Sequence, residues 1–404
     1  MLKESVFYKF LNRRDGVDVN EYLRISQEDV DYINWNQFVL PNDYGDAELE
    51  YRAIRHSCAL FDVSPMRKYQ LRGSDAGKFL DHLLTRPVSD VAAMQGIYVA
   101  FCNADGSLKD DAILYKHAKD DYLLMPSDID HSAYFEALRS GLGIEELSII
   151  DSTDSLAGMA IQGPMSATVL KHMGFDGIEL LKPFQVRDYS LKNGAVGSSL
   201  RIARMGFTAD LGYECWMKKG LSKNFEQSLT AANRGMKISL PGYGLTALEA
   251  CRLEGGFIVA GWDCSTEAEP MRGFERSPFE LGLGWLVDLN AAKFTGRDAL
   301  IIEQMHGGRF VRRSFKMCSE GRPDDGADIW AEIDGEDRQI GSVNCSSWSW
   351  NLGTRIGNAS IIREFRAARR AWVVVDCDRL EMDLSRGPLI SFERHRQVPA
   401  EIFE

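Results

Sequence analysis

Several features that define common enzyme classes are missing from this sequence. Its eight cysteines are scattered without a C-x-x-C pair, so neither a zinc site nor a thiol redox motif has support. It has no G-x-x-x-x-G-K-[ST] motif and no G-x-G-x-x-G between a strand and a helix, which argues against a phosphate-cradling nucleotide site. Its seven histidines come without a G-x-S-x-G elbow and without clustered metal ligands. The sequence therefore predicts no metal and no hydrolase triad.

Excess positive charge and long apolar runs are also missing. The net charge is -12, which disfavours a nucleic-acid partner, because a phosphate backbone is bound by a basic face. The local exception is "REFRAARR" (363–370), which we interpret as a solvated basic edge, with a landing site for an anionic tail as the alternative. No run is long enough to cross a bilayer, and the first residues lack the apolar core of a signal peptide. With scattered free thiols, this pattern predicts a cytoplasmic protein without a membrane partner.

The pattern along the chain predicts an α+β protein with a separate β-rich end. Short strand-like runs, among them "GIYVAFCN", "DAILYK" and "DYLLMP", alternate with amphipathic helical segments in two similar rounds. From about residue 310 short strands separated by turn residues predominate, which is typical of a small β-barrel. We predict a region 1–308 of two interleaved α+β domains, divided near residue 150, and a barrel domain 309–404.

Two stretches carry residues suited to chemistry. "NADGSLKDDAILY" places Asp110 at the start of an apolar strand, and Tyr98 lies on the preceding strand. Turn polarity explains such aspartates, but a strand end that borders a pocket is also a common place for a catalytic carboxylate. "RMGFTADLGYECW" (204–216) combines two glycines, two acids and three aromatics, which suits either a hairpin end or the floor of a pocket for a flat, hydrogen-bonding ring.

A series of motifs, in order over nearly the whole chain, resembles the folate-dependent aminomethyltransferase family, which includes the glycine cleavage T-protein and tetrahydrofolate-dependent demethylases. The motifs are "LFDVSPM" (60–66), "GIYVAFCNADGSLKDDAILY" (96–115), "IQGP" (161–164), "RMGFTADLGYE", "RLEGG" (252–256), "PFELGLGWLV" (278–287), "FTGRDAL" (294–300) and "GSVNCSSWSWNLGTRIGNA" (341–359).

The resemblance implies a three-domain ring of the T-protein type that binds tetrahydrofolate as the acceptor of a one-carbon unit. It assigns Glu214 to the pterin ring, with Trp216 and Tyr213 as aromatic contacts. It assigns Asp110 a catalytic place beside the reactive folate nitrogen, with Tyr98 lining the same site. Asp110 and Tyr98 are thus expected both to bind the folate and to take part in catalysis.

Departures from the T-protein pattern bear on the substrate. Leu248 stands where that pattern has arginine, Ser127 where it has asparagine, and Pro65 where it has histidine. We take Ser127, His131 and Leu248 as candidate substrate-binding residues and expect no lipoyl carrier partner. The resemblance to the demethylase branch predicts methyl transfer from a small methylated donor, with an aromatic methyl ether favoured. S-demethylation of dimethylsulfoniopropionate, glycine-cleavage aminomethyl transfer and folate binding without catalysis remain alternatives.

Overall fold

Helices and strands alternate through the first three quarters of the chain, and strands alone form its last large unit. The computed structural model describes residues 2–12, 31–191, 199–291 and 293–399. Within them, the helices are α1 (Tyr8–Leu11), α2 (Ala47–His56), α3 (Ala76–Leu83), α4 (Ser132–Gly141), α5 (Ser166–His172), α6 (Ser222–Met236), α7 (Leu245–Gly255) and α8 (Arg297–His306).

The strands before the last unit are β1 (Asp31–Trp35), β2 (Phe38–Asp43), β3 (Ala59–Asp62), β4 (Tyr69–Arg72), β5 (Gln95–Cys102), β6 (Leu108–Ala118), β7 (Asp121–Pro126), β8 (Ser148–Asp151), β9 (Leu156–Gln162), β10 (Val186–Ser190), β11 (Ser199–Ala203) and β12 (Gly212–Lys218). Those of the last unit are β13 (Phe310–Met317), β14 (Asp328–Ile333), β15 (Glu336–Ser349), β16 (Thr354–Ile362), β17 (Arg370–Val375) and β18 (Asp378–Ser385). This content confirms the predicted α+β class.

The first large sheet is antiparallel, with the strand order β5-β6-β7-β4-β8. The three runs predicted as strands from their apolar pattern form its neighbours β5, β6 and β7. Helices α3 and α4 cover one face, where Phe79 and Phe135 pack with Leu114 and other apolar side chains of the sheet. On the opposite face, Tyr98 and Ala100 of β5 pack against apolar residues of the segment 258–286.

The second large sheet is also antiparallel and has the order β10-β11-β12-β9-β3. Helices α5 and α6 pack on one face through an apolar cluster that includes Val169, Phe225 and the β12 residue Tyr213. The other face contributes side chains such as Ala160 and Trp216 to a different cluster.

That second cluster joins the uncovered faces of the two sheets. It contains Tyr115 and Met125 from the first sheet, Trp216 from the second, and Ala247 and Cys251 from α7. We call this region the intersheet space. Because side chains alternate between the faces of a strand, every second residue of β6 and β12 points into it.

The chain from β13 to β18 forms a closed barrel with the order β13-β16-β15-β14-β17-β18, which confirms the predicted C-terminal β-barrel. Its interior is filled by apolar side chains, including Phe315, Ile340 and Val373. The barrel packs on α7, where Leu253 meets Cys345 and Ile356. Helix α7 therefore contacts both the intersheet space and the barrel.

Within the described residues the cysteines are free thiols, and no group of three or more His, Cys, Asp or Glu side chains could hold a metal ion. A search of the same residues found no helix with the length and apolar character needed to span a bilayer.

Candidate active site

Strand β12 presents Glu214 and Trp216 to the intersheet space. Its register with β9 pairs Glu214 with Ala160 and Trp216 with Gly158, and these two small residues leave room above the strand. A side chain at Gly158 would overlap the Trp216 ring, so glycine is required for the indole to lie against β9. Glu214 and Trp216, which the sequence predicted to bind the cofactor, thus lie together on one face.

The structure corrects the expectation for Tyr213. Because Tyr213 directly precedes Glu214 on β12, its side chain points to the opposite face, where it is fully buried against α5 and α6. Its hydroxyl donates a hydrogen bond to the backbone oxygen of Ile178 at 3.3 Å. Tyr213 therefore supports the second sheet and contributes no wall to the intersheet space.

Glu214 is a buried carboxyl group with one side-chain donor. Only 5% of the residue is exposed, and its Oε2 accepts a hydrogen bond from the Trp216 indole N–H at 3.2 Å. Burial raises the pKa of Glu214 to about 7, against the lowering effects of that hydrogen bond and of the Lys68 charge. Its other oxygen accepts no hydrogen bond from the described residues.

Asp110 lies on the helix-covered face of β6, away from the intersheet space. It is fully buried, and its Oδ2 accepts hydrogen bonds from the Ser127 hydroxyl at 2.6 Å and from His131 Nε2 at 2.8 Å. Its Oδ1 accepts the backbone N–H of Asp111 at 2.8 Å. The structure brings the candidates Asp110, Ser127 and His131 together, but as an internal hydrogen-bonded cluster, and it does not bring Asp110 to Tyr98.

Asp111 occupies the face of β6 that Asp110 does not. The Tyr98 hydroxyl donates a hydrogen bond to its Oδ2 at 2.8 Å. The side chain is partly exposed, yet burial, followed by the charge of Asp110, raises the pKa of Asp111 to about 7. Sequence reasoning missed this residue. The available signal was the tandem "DD" on a strand, where only one aspartate can share a face with Tyr98.

The same face of β6 leads from Asp111 to the neighbourhood of Glu214. Ile113 and Tyr115 follow Asp111 at two-residue intervals and pack in the intersheet space. The Tyr115 hydroxyl contacts the Met205 sulfur, and the charge of Glu214 contributes to raising the pKa of Tyr115 after burial. From Asp111 to Tyr115, four residues along the strand span about 13 Å. This row of side chains therefore leads from the Asp111 carboxyl group towards that of Glu214.

Leu248 projects from α7 and packs, partly buried, against the apolar residues of the intersheet space. It replaces a cation of the T-protein pattern with an aliphatic side chain at this position. The aromatic rings of Phe61 and Tyr243 stack nearby at 5.1 Å between centroids, and Trp350 of the barrel packs on the same cluster. The surroundings of Leu248 are thus apolar and aromatic.

The residues present fit a reduced folate. A buried carboxyl with an unused oxygen suits the adjacent N–H donors of a pterin, because a carboxylate can accept two such hydrogen bonds side by side. Trp216 and Tyr115 supply flat walls. Glu214 and Trp216 would hold the ring, and Asp111 with Tyr98 would face its far end.

By its family, the chain is a folate-dependent one-carbon transferase. The family model of the GCVT N-terminal domain matches residues 22–291, and the chain belongs to this family, whose members use tetrahydrofolate as acceptor. The family model thus spans both large sheets and α7.

Relatives and a solved structure agree with that family. An aminomethyltransferase of Caldanaerobacter subterraneus subsp. tengcongensis is 28% identical over 340 residues, which cover 84% of this chain and 86% of that protein. One of Halothermothrix orenii is 29% identical over 325 residues, covering 80% and 86%. The crystal structure of glycine cleavage system aminomethyltransferase T from Bartonella henselae has a TM-score of 0.79 at 20% identity, covering 98% and 99% of the two chains, and confirms the predicted T-protein fold.

Proposed function

We propose that the protein transfers a methyl group from a small methylated donor to N5 of tetrahydrofolate, with an aromatic methyl ether as the favoured donor. The observation that carries this proposal is the position of Asp111, whose Oδ2 accepts the Tyr98 hydroxyl at 2.8 Å and whose pKa is raised by burial and by the charge of Asp110, which favours the acid form. An ether oxygen is a poor leaving group unless it is protonated or hydrogen-bonded as its bond to carbon breaks.

Bound tetrahydrofolate supplies a nucleophilic nitrogen that accepts the one-carbon unit. The chain's own residues then have three tasks. Glu214 and Trp216 would fix the pterin ring, and the apolar side chains of the intersheet space would exclude water. Asp111 would give its proton to the leaving oxygen as the oxygen–methyl bond breaks, and its carboxylate would then take up the proton that N5 releases on methylation. Alignment of reactants in a dry site can contribute roughly 7–11 kcal/mol to lowering the barrier.

The aliphatic Leu248 and the rings around it support an uncharged, aromatic donor. In this proposal Leu248 contacts the donor, whereas Ser127 and His131 act indirectly, because both bind the buried Asp110 on the other side of β6. S-demethylation of a sulfonium compound is a weaker alternative, since a sulfide leaves neutral and has no need of Asp111 as an acid.

Glycine-cleavage aminomethyl transfer is the second candidate, and the names of the relatives favour it. It would give methylene-tetrahydrofolate and require a lipoyl carrier protein as partner. The departures at Leu248 and Ser127 speak against it. Folate binding without catalysis is the remaining alternative, which turnover of any donor would exclude.

The test is incubation of the full chain with tetrahydrofolate and a panel of donors: vanillate-like and chlorinated methoxybenzoates, dimethylsulfoniopropionate, and glycine-loaded lipoyl carrier. Formation of 5-methyltetrahydrofolate with one methoxybenzoate, followed by chromatography, is the expected result. Methylene-tetrahydrofolate formed only with the lipoyl carrier would replace the first candidate by the second.

A further inference from the structure

Lys68 is a fully buried lysine just before β4, within the loop that carries the "LFDVSPM" motif. Its ammonium donates hydrogen bonds to the backbone oxygens of Ser64 at 2.8 Å and Met66 at 2.6 Å. These two bonds tie the ends of the loop together. A buried ammonium is costly unless it is paired, so its presence here calls for a counter-charge.

The same ammonium lies 5.3 Å from the centre of the Trp216 ring, whose indole N–H donates to Glu214. Lys68 thus lies behind the ring that holds the carboxyl group. The charged groups that face it from the surrounding elements are Asp62, Asp151, Lys219 and Asp154. Those that interact with Glu214 are Lys68, Tyr115, Cys215 and Tyr243.

We propose that Lys68 is a positioning residue for folate binding: it orients Trp216 through its ring and provides the counter-charge that keeps Glu214 a carboxylate. This inference rests on the proposed role of Glu214 in holding the pterin. Neither the motif pattern nor the family match assigns a role to this lysine.

Electrostatics support the pairing. Burial raises the pKa of Glu214 to about 7, and burial lowers the pKa of Lys68 to about 7, the latter against the opposing charges of Asp62 and Asp151. The positive charge of Lys68 acts to lower the pKa of Glu214. A protonated Glu214 would present a donor to the pterin's N–H groups and would bind it poorly.

The experiment measures tetrahydrofolate affinity by calorimetry between pH 6 and 9, under anaerobic conditions, for the full chain and for Lys68→Met. If the pKa of Glu214 rises by one unit, we expect about a fivefold loss of affinity for Lys68→Met at pH 7, approaching about tenfold at lower pH, and recovery as rising pH ionises Glu214. Lys116→Met is the matched control, because Lys116 also lies over a ring, that of Tyr122 at 5.7 Å, on the other face of β6.

A double-mutant cycle separates this role from general support of the fold. In a Glu214→Gln background the Lys68→Met change should cost less affinity and lose its pH dependence, since the counter-charge role acts through Glu214 and only the contact with Trp216 remains. Equal losses in both backgrounds, or unchanged affinity of Lys68→Met at every pH, would overturn the inference.

The same cycle measured on urea unfolding without folate tests the Lys68–Glu214 coupling by itself. A non-additive result supports the pairing even if the wild-type chain binds no tetrahydrofolate, an outcome that would instead remove the proposed function. Additive unfolding data would overturn the pairing while leaving the proposed function in place.

Discussion

Two adjacent aspartates of β6 have different surroundings because consecutive side chains leave a strand on opposite faces. Asp110 is an internal acceptor for Ser127, His131 and a backbone N–H, whereas Asp111 lies on the opposite face of β6 and accepts from Tyr98, whose ring packs against the segment 258–286. We propose that Asp111 takes the catalytic place that the motif comparison assigned to Asp110.

Paired substitutions test this assignment. Asp111→Asn should reduce turnover by at least about 100-fold with tetrahydrofolate affinity nearly unchanged, because general acid catalysis contributes about 10²–10⁴ in rate. Asp110→Asn should lower the free energy of unfolding by about 1–3 kcal/mol through mismatched buried hydrogen bonds. Single-turnover kinetics and urea denaturation measure the two effects. Full turnover in Asp111→Asn would remove the acid role.

The pH dependence of turnover follows from the same group. Since the pKa of Asp111 is raised to about 7, the acid form is present below that pH, and the rate with an ether donor should fall as pH rises through it. The raised pKa also implies that ionisation disfavours the folded state. The stability of Asp111→Asn relative to the wild type should therefore increase as pH rises from about 4 to about 7 and remain higher above pH 7. A flat rate profile across pH 6–8 would contradict the first expectation.

Glu214 provides a direct test of the pterin site. Glu214→Gln keeps the size of the side chain but removes the charge, so we expect tetrahydrofolate affinity to fall about 10- to 100-fold, as for loss of a charge-assisted hydrogen bond. Asp188→Asn, an exposed carboxyl paired with Arg201 on the second sheet, is the control and should bind normally. Calorimetric titration distinguishes the two variants.

The sequence predicted much at this scale, and its misses have physical reasons. Glu214 and Trp216 lie on one face of β12 and Tyr98 donates to Asp111, whereas the roles assigned to these residues stay predictions. Motifs identify neighbourhoods along the chain, but consecutive side chains of a strand point to opposite faces, so the motifs could not show that Tyr213 lies on the other face from Glu214, or Asp110 on the other face from Asp111. Lys68 escaped notice because its pairing with Trp216 joins distant parts of the chain.

At the scale of secondary-structure elements, the C-terminal end of α7 carries the two buried charged residues of the "RLEGG" motif, Arg252 and Glu254. Arg252 forms ion pairs with Asp263 at 2.5 Å and with Glu249 at 2.5 Å, and it donates to the Cys345 sulfur of the barrel. Glu254 accepts hydrogen bonds from Arg55 and from the barrel residue Ser349. Through these bonds the "RLEGG" motif connects α2, the loop at Asp263 and the barrel, and we call this set of contacts the polar joint.

Breaking this joint should be costly. Arg252→Ala leaves the fully buried Asp263 without its partner, and we expect the free energy of unfolding to fall by about 3–5 kcal/mol. Arg52→Ala on α2 removes an exposed pair with Glu48 and should cost no more than about 1 kcal/mol. Urea denaturation of both variants checks the contrast, and equal losses would argue against the joint.

The pairing of β9 with β12 gives a second test at this scale. Gly158→Ala would push its new methyl group into the Trp216 ring, displacing the indole from Glu214. We expect a clear loss of tetrahydrofolate affinity, of about tenfold or more. Gly141→Ala, at a position with open space around it, should leave affinity unchanged. Normal binding by Gly158→Ala would contradict the packing described for Trp216.

For the whole molecule, we propose a division into an α+β region ending near residue 308 and a barrel domain beyond it, with the α+β region divided near residue 150. The sequence predicted the limit near residue 308 only from the change to short strands separated by turn residues near residue 310. It could not show how tightly the parts adhere, because Arg55, Glu254 and Ser349 lie on segments far apart in the chain.

The shared polar joint predicts that the parts unfold together. Far-UV circular dichroism and tryptophan fluorescence should report one coincident thermal transition, as expected for a single cooperative unit. Tetrahydrofolate at 100 times its dissociation constant should raise the free energy of unfolding by about 2.7 kcal/mol. Two separated transitions would show that the barrel and the α+β region are energetically independent.

The register of β6 has a consequence for how this chain tolerates change in length. If loss of one residue from the turn 103–107 shifts the register of β6 by one position, rather than being taken up at the bulge between Phe101 and Cys102, Asp110 and Asp111 exchange faces. Changes in the length of the turn 103–107 should therefore be tolerated in steps of two residues. In a library of variants with different turn lengths, active and inactive variants should alternate.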